Sequence, residues 1–530
     1  MAPDSTLPAA VLSGLVAAAS SKASLRRLRA VLPGCALAAL CACGNPAPDS
    51  GATRLQPDNI TLFPIEHYDQ NVDHWIEPDS AGYDQPFLSA ADQKAHLRLF
   101  YARYFGTGSN SPSPWNAAFV TMRVYRQQGA DIAALQQRRI ARFDNAEKHG
   151  ADVGYGENFR PHDKAWIDAI AQNMNVAQFT ADAAYRPERR AIATGNLLVR
   201  ELPTIDPSFY DRRLAGEGYP FDNLQISASR PGTPLYVLGS SVDGAWYYVQ
   251  TPDVQGWVRS DGVAMTDDRF VDRWRAATAT SLGAVTVASA PVRDSRGTFR
   301  FDAPAGTLLP LVPQGSQASG GGPLHVLVPA RDADGEALIR DAELSDTQIA
   351  PMPLAATPRH LAMLMKRLIG RPYGWGNSGL NNDCSSELQS IFAVFGVWLP
   401  RHSSTQMSAG RMTDLSASSP AQRLDYLVQH GVQMRTLIYI GGHVMLYIGT
   451  TTRHGVVVPV VYQDVWGLRP ADDSRRAVIG GSVILPLDEH IAEDATLQSL
   501  AGTPIFQISV LGAPPGSATS APADDDSPAG

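Results

Sequence analysis

Cysteine is almost missing from this chain: only four of its 530 residues are cysteines. Cys35, Cys41 and Cys43 crowd an N-terminal segment, and Cys384 stands alone beyond it. Past residue 43 no disulfide can form within the chain, so stability there must come from apolar cores. Positive charge is not in excess either. The 44 Lys and Arg against 52 Asp and Glu leave a net charge of −8. With no basic run interleaved with aromatics, nucleic acid is not an expected partner. Metal-ligand spacing is also missing: His67 and His74 flank Asp69 and Asp73, but no third ligand converges, so these read as exposed polar residues. No metal and no cofactor is expected.

What is present centres on Cys384. Leu388, Ile391, Phe392 and Phe395 follow it at the spacing of one helical face, and Gly396 ends that pattern. Asp383 is a natural N-cap, which sets Cys384 in the first turn, where the helix dipole favours a thiolate. A lone cysteine is more often an inert buried side chain. The balance shifts with His443, which lies on a segment of period two. Residues 437–440, 443–449 and 456–463 read as successive strands, the last two as a hairpin turning within 451–455. Pairing back from Thr450 sets His443 opposite Tyr462 or Gln463, according to whether the loop holds four or five residues. With Gln463 as partner, the arrangement is a thiol nucleophile, an imidazole base and a polar group holding the tautomer. Gly441 and Gly442 before the histidine allow another backbone or a substrate to approach closely.

Tyr373-Gly374-Trp375-Gly376, Asp383-Cys384-Ser385-Ser386, Leu399-Pro400-Arg401 and Gly442-His443-Val444 together resemble the motifs of the NlpC-type cell-wall cysteine peptidases. Ser386 stands where that family usually has glycine. The resemblance implies a papain-like fold with Cys384, His443 and Gln463 as the catalytic residues. It also implies substrate contacts from Asp383, Ser385, Tyr373 and Trp375, and, through a loop of a neighbouring barrel, Tyr219 and Asp222. Backbone N–H groups at the start of the Cys384 helix would serve an oxyanion.

Length suggests three or four domains. Lys22, Arg26, Arg27 and Arg29 precede the apolar stretch Val31 to Ala42, which falls short of the ~20 residues of a membrane span and has the layout of an export signal. Leu40-Cys41-Ala42-Cys43 resembles a lipobox with Cys43 as the lipid anchor. Residues 1–43 are thus read as a lipoprotein signal and 44–60 as a flexible spacer. Residues 61–191 read as a mixed, mostly helical N-terminal domain, with amphipathic stretches near Ala90 to Phe105 and Asp131 to Arg142. The short strands of 195–268 resemble a bacterial SH3-type barrel, a second barrel follows over 269–350, and 351–512 is the peptidase domain. A Pro/Ser/Gly-rich tail, 513–530, reads as disordered. The fold class expected is multidomain α+β: a helical N-terminal domain, two SH3-type β-barrels and a C-terminal papain-like α+β domain.

The function the resemblance implies is hydrolysis of peptidoglycan stem peptides between γ-D-glutamate and meso-diaminopimelate or lysine. Muropeptides with a free N-terminal L-alanine would be favoured, their ammonium meeting Asp383. The alternatives are a non-catalytic peptidoglycan-binding lipoprotein and an amidase or acyltransferase on the same fold. The lipobox resemblance implies, with Gly44 rather than Asp after Cys43, a location at the outer membrane of a Gram-negative cell, facing the periplasm.

Overall fold

The computed structural model describes residues 59–514 except 110, 215 and 314–321. The export segment, Cys43, nearly all of the spacer and nearly all of the tail lie outside the described residues. No helix among the described residues is long and apolar enough to cross a membrane.

Helices form where the sequence places its periodic apolar residues. Helix α1 (Ala90–Phe105) opens on Ser89, whose hydroxyl accepts the Asp92 N–H, and closes on Gly106 at φ 69°. Helices α2 (Ala130–Phe143) and α3 (Lys164–Met174) turn Ile132, Phe143, Ile167 and Met174 towards Tyr236, Tyr248 and Trp257. The buried Trp257 indole N–H donates to Gln136 Oε1 at 2.9 Å, so helices and barrel share one core.

The first barrel sheet has the spatial order Gln225–Ser229, Leu197–Arg200, Gln255–Arg259, Trp246–Gln250, Pro234–Ser240, Arg190–Ala193, Val263–Met265. Its tight turn falls at Asp243-Gly244-Ala245, with Gly244 at φ 70° and the Asp243 carboxylate accepting the Ala245 N–H. Helix α4 (Asp268–Thr280) leads into the second barrel, a three-stranded sheet with two hairpins around a core that includes Val285, Phe301, Leu309 and Val328.

The C-terminal part packs helices α5 (Pro358–Leu368), α6 (Cys384–Val394) and α7 (Pro420–His430) against one seven-stranded sheet. In chain order its strands are β1 (Ile60–Leu62), β2 (Arg411–Asp414), β3 (Thr436–Tyr439), β4 (Val444–Arg453), β5 (Val456–Leu468), β6 (Arg476–Pro486) and β7 (Gln507–Val510). In space they run β1-β6-β5-β4-β3-β7-β2, all neighbours antiparallel except the parallel pair β1 and β6. Leu446, Ile448, Val460, Tyr462 and Ile484 face α6, while Met445, Tyr447 and Val461 face α7, the period-two division a sheet covered on both sides requires.

Two sequence readings change here. Residues 44–60 were read as spacer and 61 onward as a separate helical domain, yet Ile60–Leu62 is an edge strand of the C-terminal sheet. A three-residue strand carries no periodicity to read. The Gln70 amide extends the same edge, bonding the N–H and the C=O of Ile484 at 2.9 Å each. The β4–β5 turn is also tighter than four or five residues: Arg453 pairs with Val456, and His454 (φ 50°) and Gly455 (φ 80°) form it. A bulge at Tyr447/Gly449 then shifts the register, so Leu446 faces Tyr462 and His443 precedes the strand.

The first barrel meets the peptidase part at Gly376, which lies at φ 57°. A Cβ there would come 2.9 Å from Gln225 O, and Gln225 Nε2 donates to Gly376 O at 2.9 Å. Gly376→Ala is expected to lower stability by about 2 kcal/mol, read as a lower urea midpoint.

Candidate active site

Helix α6 begins with a capping box. The Asp383 carboxylate accepts the Ser386 N–H at 2.9 Å, and Ser386 Oγ accepts the Asp383 N–H at 2.8 Å. Ser386, the departure from the family's glycine, therefore has a structural role. Its hydroxyl also accepts from Asn377 Nδ2 at 2.8 Å. The helix is more than amphipathic: besides Leu388, Ile391 and Phe392, its polar Glu387 and Ser390 are buried. Glu387 accepts from the Tyr462 and Ser482 hydroxyls and from Asn382. Ser390 meets Arg230 of the first barrel. The barrel covers the side a two-layer domain would leave wet.

At the head of α6 the buried Arg401 binds the Asp383 carboxylate at 2.5 and 3.1 Å, and also Ser385 Oγ, Asn377 Oδ1 and, across the domain boundary, Ser227 Oγ. Burial alone would raise the Asp383 pKa, but the guanidinium holds it below the ordinary carboxylate value. Arg401 thus balances the charge that the sequence reading offers to a substrate ammonium. Ser385, 4% exposed, likewise serves the same cluster.

Cys384 is 5% exposed, its Sγ 3.9 Å from the Gly442 carbonyl oxygen. Gly441 (φ 81°) and Gly442 (φ 82°) are the two turn residues between β3 and β4, a conformation that requires glycine. That turn delivers His443, whose Nε2 lies 2.7 Å from Gln463 Oε1. Gln463 is 1% exposed, and its Nε2 has no partner among the described residues. With Oε1 as acceptor the imidazole proton sits on Nε2, which leaves Nδ1 to take a proton.

Burial pushes the Cys384 thiol up to about 12, with the Asp383 charge adding to it, and pushes His443 down to about 4. Desolvation thus opposes the thiolate that the helix dipole favours. Asp464, next to Gln463, is buried with Oδ1 unpartnered among the described residues, and burial raises its pKa well above the usual value.

The cleft wall is aromatic. Trp466 meets Tyr373 at 6.2 Å between centroids and Phe221 at 5.2 Å, and Phe221 meets Trp375 at 5.4 Å. Trp375 Nε1 donates to the Asp222 carbonyl at 3.1 Å. The first barrel's insertion therefore does reach the site, through Phe221 rather than the two residues expected. The Asp222 carboxylate turns inward to Arg200 at 2.9 Å and to the Ser208 and Leu224 N–H groups, which corrects its assignment as a cleft contact. Tyr219 turns outward and meets Phe209 and Phe159 edge to face. Phe221 had a signal in the sequence, an apolar residue inside a polar insertion. Arg401 had a motif but no legible partner.

A helix headed by cysteine and packed on an antiparallel sheet that presents a histidine defines the papain-like α+β class. Residues 370–472 match the NlpC/P60 family, 207–259 an SH3 domain of SH3b1 type, 267–316 an SH3 domain of SH3b2 type, and 32–179 the N-terminal NLPC_P60 stabilising domain. The chain thus carries an NlpC/P60 domain, of a cysteine peptidase family, preceded by a stabilising domain and two SH3b domains. Among solved structures it is similar to a novel NlpC/P60 endopeptidase from Photobacterium damselae subsp. piscicida, with 26% identity and a TM-score of 0.72, covering 85% of this chain and 98% of that one. An NlpC/P60 family protein from Bacillus cereus ATCC 10987 matches at 18% identity and a TM-score of 0.39, covering 58% and 98%. No curated protein matches the chain.

Two outcomes follow from the site's charges. Alkylation of Cys384 by iodoacetamide in the native chain is expected to be slow at pH 7 and to rise continuously past pH 9, because the raised thiol pKa withholds the thiolate until alkaline pH; a plateau reached by pH 6 would show an ion pair instead. Arg401→Met strands a buried carboxylate and is expected to destabilise by about 3–5 kcal/mol. Adding Asp383→Asn should restore part of that in chemical denaturation.

Proposed function

We propose that this protein is a peptidoglycan stem-peptide endopeptidase cutting between γ-D-glutamate and the diamino acid, meso-diaminopimelate or lysine. The observation that carries the reading is the 2.7 Å contact of His443 Nε2 with Gln463 Oε1 beside the buried head of the Cys384 helix. His443 Nδ1 takes the thiol proton as Sγ attacks the amide carbon, and the tetrahedral oxyanion meets backbone N–H groups at the start of α6. Burial holds the Tyr373 hydroxyl protonated and so able to donate. The imidazolium returns its proton to the leaving amine. Water, deprotonated by the same imidazole, then releases the acyl group as a carboxylate and restores the thiol.

The Asp383–Arg401 pair argues for a substrate broader than free-amine muropeptides, since no uncompensated charge at Asp383 selects an ammonium. L-Ala-γ-D-Glu-diaminopimelate and its N-acetylated form, incubated with wild type and Cys384→Ala and read by mass spectrometry, test this. Wild type should release diaminopimelate from both at rates within about threefold, and Cys384→Ala from neither. Cleavage of the free-amine peptide alone would restore Asp383 as the ammonium acceptor. Consumption of an added amine would point to acyl transfer, and binding without turnover to a wall-binding protein. Gln463→Ala should lower kcat roughly 100-fold through loss of the tautomer lock, leaving KM nearly unchanged.

The Lys22-to-Arg29 basic region, the apolar stretch after it and Leu40-Cys41-Ala42-Cys43 support export and lipidation at Cys43, with the protein held at the outer membrane and facing the periplasm. Cells fed an alkyne fatty acid should label the wild-type chain and not Cys43→Ser.

A further inference from the structure

Outside the cleft, one surface feature is built at the expense of backbone comfort. Phe159 lies at φ 57°, the left-handed region that a bulky side chain rarely adopts. It nevertheless keeps 49% of its surface in solvent, where no core packing explains the strain. The turn is fixed by the Phe159 N–H on the Gly156 carbonyl at 2.9 Å, by Asn158 Oδ1 accepting the Arg160 N–H, and by Tyr155 bridging Pro161 and Phe209. Beside it Tyr219, 50% exposed, meets Phe159 edge to face at 5.9 Å between centroids and rests on the buried Phe209 at 5.2 Å.

Tyr219 of this pair shares its insertion with the cleft wall. Tyr219 is two residues from Phe221, a separation of at most ~7 Å along the chain, and Phe221 packs on Trp375 and Trp466 of the cleft wall. One insertion thus presents one aromatic inward to the cleft and another outward to solvent. The open ring surface totals about 200 Å², far below the roughly 800 Å² per partner of a stable protein interface. It is the size of one or two sugar rings, whose axial C–H faces stack on aromatics while their edge hydroxyls find polar groups. The exposed Asn158 and Arg160 stand at that rim.

We propose that Phe159 and Tyr219 form a saccharide platform that holds the glycan end of a stem still attached to its sugar. The inference rests on the stem-peptide reading, in which L-alanine, two residues from the scissile bond, is joined to the sugar's lactyl group about 10 Å away by covalent reach. It agrees with the balanced charge at Asp383, because a sugar-linked stem has no free ammonium. The substrate is then a glycan-linked stem of the wall rather than a recycled free peptide.

Phe159→Gly removes the ring and relieves the left-handed backbone, so its melting temperature should equal or exceed that of wild type. With the full chain, kcat/KM is compared on a disaccharide-linked tripeptide, N-acetylglucosaminyl-N-acetylmuramyl-L-Ala-γ-D-Glu-diaminopimelate, and on the N-acetyl tripeptide without sugar. Wild type should prefer the sugar-linked form at least 10-fold. Phe159→Gly should bring the ratio within twofold while leaving the sugar-free rate unchanged. No preference in wild type, or a preference that survives Phe159→Gly, overturns the proposal. Calorimetric titration of the disaccharide-linked tripeptide into Cys384→Ala, with and without Phe159→Gly, decides the matter even if neither peptide is cleaved. About 10-fold weaker binding without the ring supports the platform, and equal binding overturns it. Absence of turnover with ring-dependent binding would sink the peptidase reading alone.

Discussion

The Asp383–Arg401 ion pair fixes where the Cys384 helix starts, and the site around it is assembled on that fixed point. Asp383 caps the helix through the Ser386 N–H and receives the guanidinium on both oxygens. Arg401 in turn reaches Ser385, Asn377 and the barrel's Ser227. A buried pair of this kind contributes little net stability over an apolar replacement, yet neither member can be lost alone, because the survivor is then an uncompensated charge in a dry site. The capping turn, the 373–377 segment and the first barrel are therefore tied to one another through a single arginine. The barrel is part of the wall of the site, and its packing on α6 explains why that helix is buried on nearly every face.

Burial sets the proton balance of the site: it pushes the Cys384 thiol up and the His443 imidazole down, and Arg401 offsets part of the rise that the Asp383 charge adds to the thiol. Proton transfer must then accompany attack rather than precede it, and the tautomer of His443 becomes the controlling variable. Gln463 suits that role: its carbonyl oxygen places the proton on Nε2 without bringing a second charge into the same dry space. A carboxylate at that position would raise the imidazole pKa and favour an ion pair, a different resting state on the same fold.

The cleft itself is a product of two domains. Phe221 of the first barrel's insertion closes on Trp375 and Trp466, and Asp222 and Arg200 stiffen that loop from behind. The loop's aromatics face both ways, so the same rigid segment that narrows the cleft also shapes the surface just outside it.

The sequence alone determined what is local. The apolar period after Cys384, the Asp383 cap, the Gly396 stop and the alternation of strands around His443 were legible, because each depends on residues a few positions apart, whereas the choice of Gln463 over Tyr462 as the partner of His443 waited on the two-residue turn and the bulge at Tyr447/Gly449. The helices at 90–105 and 130–143 were legible for the same reason. Three features depended on contacts between residues far apart in the chain, and only the tertiary structure decided them. Arg401 cancels the charge of Asp383 from 18 residues away. The barrel packs on the Cys384 helix, whose burial pushes the thiol pKa up. Ile60–Leu62 crosses the whole chain to join the sheet at residues 476–478. Charge balance and burial are sums over everything nearby in space, and a linear pattern records only neighbours along the chain.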